Sequence, residues 1–73
     1  MASIELKSDI TGTVCKILKK IGDRVAEDEA IVILESMKME IPVSSPEPGV
    51  IKEIFVEEGA TIGEGAVVVR LDV

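Results

Sequence analysis

Six residues at the middle of the 73-residue chain, Glu35-Ser36-Met37-Lys38-Met39-Glu40, hold the group best suited to chemistry: the primary amine of Lys38. It is a flexible nucleophile set between two unbranched apolar side chains, with an acid outside each of them. Tight hairpins normally turn on Asn-Gly, Asp-Gly or Gly-X, because primed turns need positive φ. Two exposed methionines are a solubility liability, so Met37 and Met39 are expected to gain from contact with another protein. Lys38 is then an amine placed where that protein reaches it.

The rest of the chain offers no catalytic apparatus to go with that amine. With no His, a His-based triad and every His-containing metal site are absent. One cysteine, Cys15, makes neither an internal disulfide nor a thiolate zinc site, and it is expected as a small core residue on a strand. Phe55 is the only aromatic, and the formal charge is −6. Nucleic acid would find no stacking platform and a repelling surface, and so would anionic lipid. No apolar run approaches the ~20 residues of a membrane span, and the N-terminus is not a signal peptide. The expectation is a cytoplasmic, monomeric, non-enzymatic chain without metal, complete from Met1, in the reduced setting that one thiol suits.

Positioning Lys38 falls to a repeat. Residue i set against i+37 gives identities at Ile4/Ile41, Ser8/Ser45, Gly12/Gly49, Ile17/Ile54, Gly22/Gly59, Glu27/Glu64, Val32/Val69 and Leu34/Leu71. These fall on apolar faces and on glycines read as turns, where positive φ is cheap only for Gly. Asp28 opposite Gly65 implies a left-handed residue there. Hydrophobic residues make up 47% of the chain and are mostly Ile, Val, Leu and Ala, a composition that favours strands over helices. Short strands are read at 4–6, 14–18, 31–34, 39–43, 50–56 and 67–71, with turns at Gly22-Asp23 and Gly59-Ala60. Residues 1–73 form one domain with repeats at 1–36 and 38–73. Two such halves bury their apolar faces best against each other, as an all-β flattened barrel or sandwich with approximate two-fold symmetry. The link at 36–38 and the termini then lie at opposite ends.

This pattern resembles the biotinyl/lipoyl attachment domains. The likeness rests on Gly12-Thr13-Val14, Gly22-Asp23-Arg24-Val25, the run Ile31 to Met39, Pro46, Gly49-Val50 and Gly59, and covers essentially the whole chain. It implies two four-stranded halves, and a Lys38 biotinylated by a biotin protein ligase. Met37 and Met39 match the biotinyl branch, where lipoyl domains usually show Asp-Lys-Ala, and they would give ligase or carboxylase a pliable contact. Glu35 and Glu40 are read chiefly as solvated strand-end charges, with docking to the ligase as a second role. Ser36 stands where Ala is commoner, and nothing between Val14 and Val25 makes room for the protruding thumb of some acetyl-CoA carboxylase carriers.

The implied function is a biotin carboxyl carrier whose arm visits a biotin carboxylase and then a carboxyltransferase. Two alternatives stand beside it: a lipoyl carrier using the same lysine, with lipoate in place of biotin, and an unmodified interaction module.

Overall fold

The computed structural model describes residues 2–73. Runs of β-branched residues broken by Gly, Pro and Asp give eight strands: β1 (Ser3–Lys7), β2 (Gly12–Ile17), β3 (Arg24–Val25), β4 (Ala30–Ser36), β5 (Met39–Ser44), β6 (Gly49–Ile54), β7 (Thr61–Ile62) and β8 (Val67–Asp72). They form two four-stranded antiparallel sheets. The terminal sheet has the order β1-β8-β6-β3, and the tip sheet β5-β4-β2-β7. A shift of 37 positions, forward for β1 and β3 and back for β8 and β6, carries the first order onto the second, strand for strand.

The loops obey the same offset. Gly22 N–H donates to Ile51 O at 2.8 Å, and Gly59 N–H to Val14 O at 2.8 Å. Gly65 N–H donates to Ser8 O and Asp28 N–H to Ser45 O, both at 2.7 Å. Ser8 and Ser45 are buried, and each hydroxyl donates to the carbonyl two residues on, of Ile10 and Glu47. Every buried polar group of that pair is thereby satisfied, as burial requires.

Inward-facing side chains of the two sheets make the core: Leu6, Val14, Val25, Ile31, Val32, Leu34, Ile51, Val68, Val69 and Leu71. Full burial of such an aliphatic side chain is worth roughly 1.5–3 kcal/mol, against about 0–1 kcal/mol for an exposed ion pair. The core therefore holds the sheets together, while the three ion pairs found among the described residues, all on the surface, contribute little.

Ser36 pairs with Met39 across the β4–β5 hairpin. At the equivalent place in the other half, Val73 N–H donates to Ala2 O at 2.9 Å. β1 runs from that meeting of the termini toward the hairpin, since Asp9 and Ile10 beyond its end line a groove with Leu34 and Ile41. Hairpin and termini thus lie at opposite ends of a molecule 36 Å long and 17 Å across.

The expected all-β flattened barrel or sandwich of two four-stranded halves is the fold that forms, and it is open, since no ladder joins the two sheets among the described residues. Other expectations need correcting. Gly12 and Gly49 do not mark positive-φ turns; they open β2 and β6, where a Cβ would lie 2.8 Å from Glu35 O and 2.7 Å from Asp72 O. Close backbone approach is what requires Gly there. Gly22 and Gly59 do take positive φ, at 94° and 90°, and Asp28 sits at 67° opposite Gly65 at 86°. Cys15 falls where the β2–β4 register shifts and is half-buried, outside the core. The strands expected to run to Leu18 and Val56 end at Ile17 and Ile54, and the two-residue strands β3 and β7 were too short to give a periodic signal.

Candidate functional site

The arms of the hairpin are fixed before the tip is reached. Leu34 pairs with Ile41 facing the core, Glu35 with Glu40 facing out, and Ser36 with Met39. That register leaves two residues, Met37 and Lys38, to make the turn, and both take positive φ, 52° and 66°. This is the type I′ pattern, whose twist matches that of the paired strands. Side chains with a Cβ occupy it at a cost of roughly 1–2 kcal/mol per residue. The paired arms enforce that conformation, and the residues at the turn are not those that would relieve it.

The result is a presented amine. Met37 is 92% exposed and Met39 63%, so neither folds back onto the sandwich, and Lys38 is exposed between them. Among the described residues, no ion pair engages Lys38, Glu35 or Glu40; those present join Lys19 to Glu29 and Arg70 to Glu5 and Glu53. The structure thus brings all five sequence-predicted residues to one end of the molecule, with the two carboxylates side by side on the outer face of the tip sheet.

Gly12 supports the tip, a role its place in the repeat hid behind the turn reading. Because it lacks a side chain, β2 approaches the backbone of Glu35, and its missing Cβ would also lie 3.5 Å from Ser36 Cβ. Nearby, Thr11 Oγ1 accepts a hydrogen bond from Glu64 N–H at 3.3 Å, tying the segment before β2 to the loop after β7.

Neither of the two main grooves among the described residues is lined by Lys38. An open groove of about 430 Å³ lies between the edge strands β1 and β5, lined by residues that include Leu6, Ile10, Leu34 and Ile41, and it does not reach Met37, Lys38 or Met39. What the end of the molecule can do is offer an amine to an active site on another protein. A rigid two-stranded arm limits the conformational freedom lost when that site closes on it.

Comparison with known proteins agrees with this geometry. A family model described as "Biotin-requiring enzyme" matches residues 2–71. The chain is 39% identical over 62 residues to a biotin/lipoyl attachment protein of Bacillus subtilis, covering 85% of each. It is 45% identical over 62 residues to the dihydrolipoyllysine-residue succinyltransferase component of a 2-oxoglutarate dehydrogenase complex from Staphylococcus saprophyticus, covering 84% of this chain and 15% of that protein. Among solved structures, the urea carboxylase of Kluyveromyces lactis superposes with a TM-score of 0.92 at 26% identity, over 99% of this chain and 6% of the carboxylase. Within the last two proteins the match spans a small part of a much longer chain. A two-sheet sandwich with a lysine at its hairpin tip, matched along nearly its whole length, belongs to the biotin/lipoyl attachment domain family.

Proposed function

We propose that this chain is a biotin carboxyl carrier, with biotin joined by an amide to Lys38. The observation that carries the reading is the sequence Met37-Lys38-Met39 on a strained, solvent-facing type I′ turn. The residues fit the group: the amine is exposed, has no carboxylate partner among the described residues, and stands clear of the sandwich. In loading, Lys38 Nζ attacks the acyl carbon of a biotinyl-adenylate on a biotin protein ligase. The N–C bond forms, the bond from carbon to the phosphate oxygen breaks, and AMP leaves. The ligase takes the proton that Nζ must lose, because no carboxylate pairs with Lys38 among the described residues. Amide formation removes one positive charge, taking the formal charge from −6 to −7.

Once attached, the ureido ring supplies the carboxyl-carrying chemistry between a biotin carboxylase and a carboxyltransferase. The chain's own part is positional. β4 and β5 hold the attachment point out, Met37 and Met39 present adaptable apolar contacts, and Glu35 and Glu40 offer acidic ones to the ligase. The same reading takes the chain to act as a cytoplasmic monomer that meets its partners by diffusion.

Lipoate on the same lysine is the second reading, favoured by the similarity to a dihydrolipoyllysine-residue protein. Incubating the full chain with ATP and either biotin plus a biotin ligase or lipoate plus a lipoate ligase, then measuring intact mass and the modified residue, separates the two. The expected result is one biotinyl adduct at Lys38, lost in Lys38→Arg. An adduct only with lipoate supports the second reading, and none in either arm leaves an unmodified interaction module. Met37→Asp with Met39→Ala is expected to shift loading from biotin toward lipoate.

A further inference from the structure

The outer faces of the two sheets occupy equivalent backbone positions and carry different chemistry. On the terminal sheet Arg70 has Glu5 and Glu53 as cross-strand neighbours, and its guanidinium donates to both, at 3.2 and 2.6 Å. It also lies 5.4 Å from the centre of the Phe55 ring. On that face the central cation is thus paired with both of its acidic neighbours. The equivalent positions of the tip sheet hold Ile33 with Pro42 and Lys16 as neighbours, and Leu18 in place of Phe55. Ile33 is half-buried, Pro42 and Lys16 are exposed, and Leu18 is 47% exposed.

The next row sharpens the contrast. On the terminal sheet it reads Ser3, Asp72, Val50, Arg24, one acid and one base in register. On the tip sheet it reads Glu40, Glu35, Thr13, Thr61, two acids directly opposite each other and no base. Like charges in direct cross-strand register are destabilising. Behind that row the tip sheet shows Ile33 and Pro42 with Lys16 beside them, bordered on the hairpin side by two facing carboxylates that make no ion pair among the described residues.

We propose that this outer face, centred on Ile33 and Pro42 with Leu18 at its margin, is the surface on which the ligase that loads Lys38 seats itself. The complementary ligase surface is apolar, with a basic side chain placed between Glu35 and Glu40. The charge pattern selects it: the row that holds Glu35 and Glu40 carries no base, where the equivalent row of the opposite sheet has Arg24. The proposal rests on the carrier reading and extends it from the tip to the sheet behind it. A few residues packed in desolvated pockets near the centre carry most of the energy of such contacts.

The molecule provides its own test. The triple variant Lys16→Glu, Ile33→Arg and Pro42→Glu copies onto the tip sheet the side chains that the terminal sheet carries on the same backbone. Steady-state biotinylation of the full chain is expected to lose ~10-fold or more in kcat/KM, chiefly through KM. Arg70→Leu, on the other face, is expected to leave KM unchanged. A wild-type KM for the triple variant overturns the docking face while the carrier reading stands. A wild-type chain that takes no biotin overturns the carrier reading and the docking face with it. Should the triple variant not fold, amide shifts of the wild-type chain titrated with ligase decide: changes at Thr13, Lys16 and Ile33 support the proposal, and changes at Glu5, Glu53 and Arg70 overturn it.

Discussion

A Cβ on Gly12 would stand 2.8 Å from the backbone oxygen of Glu35, three residues before Lys38. The neighbouring atom is backbone, held in the β4 ladder, so it cannot swing aside as a flexible side chain would. Gly12 is in this sense the seat of the tip hairpin, and Gly49, 2.7 Å from Asp72 O by the same measure, is its equivalent at the termini.

Gly12→Ala and Gly49→Ala are therefore expected to destabilise the domain similarly, by ~1–3 kcal/mol each in chemical denaturation. They should differ at the tip. Only Gly12→Ala forces the Glu35–Ser36 backbone to move, so only it should shift the amide resonances of Met37 and Lys38 and slow loading of Lys38. Equal tip shifts in both variants would refute the seating role.

The Lys19–Glu29 pair makes stability depend on pH at both extremes. Lys19 Nζ lies 2.6 Å from Glu29 Oε2, while Glu29 Oε1 accepts from Ala26 N–H at 2.8 Å. The hydrogen bond from Lys19, and then that from Ala26, hold the Glu29 carboxyl below the ordinary carboxylate range. The hydrogen bond to Glu29, and then its charge, raise the Lys19 ammonium above its ordinary value. A lowered acid binds fewer protons folded than unfolded, so its contribution is present above the unfolded value and lost as pH falls through the folded one. A raised base contributes below its unfolded value and loses that contribution as pH rises through the folded one. Thermal stability should thus be flat near neutrality and decline on both limbs. Both groups lie at the surface, partly exposed and screened by salt, so the effect is small. Glu29→Gln should flatten the acid limb relative to wild type and lower neutral stability slightly; an unchanged acid limb would show that the pair does not form in solution.

The sequence made some of this legible and concealed the rest, for physical reasons. Val14/Ile51, Val32/Val69 and Leu34/Leu71 were readable as core because burial constrains side-chain type, and each is now at most 1% exposed. Asp28 was readable as left-handed because its partner in the repeat is Gly65. The tip was readable because Lys38 lies where the halves join. Gly12 was misread because a glycine needed for positive φ and one needed for close approach look alike in sequence; only the distance to Glu35 O separates them. The contrast between Arg70 and Ile33 was likewise hidden. Outward positions are free to differ between halves, so the repeat gives no reason to compare them until the register sets them on one row.

The tip turn leads to a prediction that separates stability from function. Met37 and Lys38 hold φ of 52° and 66°, where Asn and Gly are the favoured occupants of a type I′ turn. Asn tolerates the left-handed region because its short polar side chain bonds locally. Met37→Asn should therefore stabilise the domain by about 0.5–1 kcal/mol, a rise in Tm of several degrees for a chain of this size. It also removes an apolar group that is 92% exposed and makes no contribution to the core. If Met37 is retained for contact with the ligase, the more stable variant should be the poorer substrate, with a higher KM for loading of Lys38. A variant that gains stability and is loaded as fast as wild type would show that Met37 has no part in recognition. One that loses stability would show that Met37 packs against the hairpin in solution. The two measurements, a melting curve and a loading rate on the same protein, place the strain at residue 37 on the side of function or of fold.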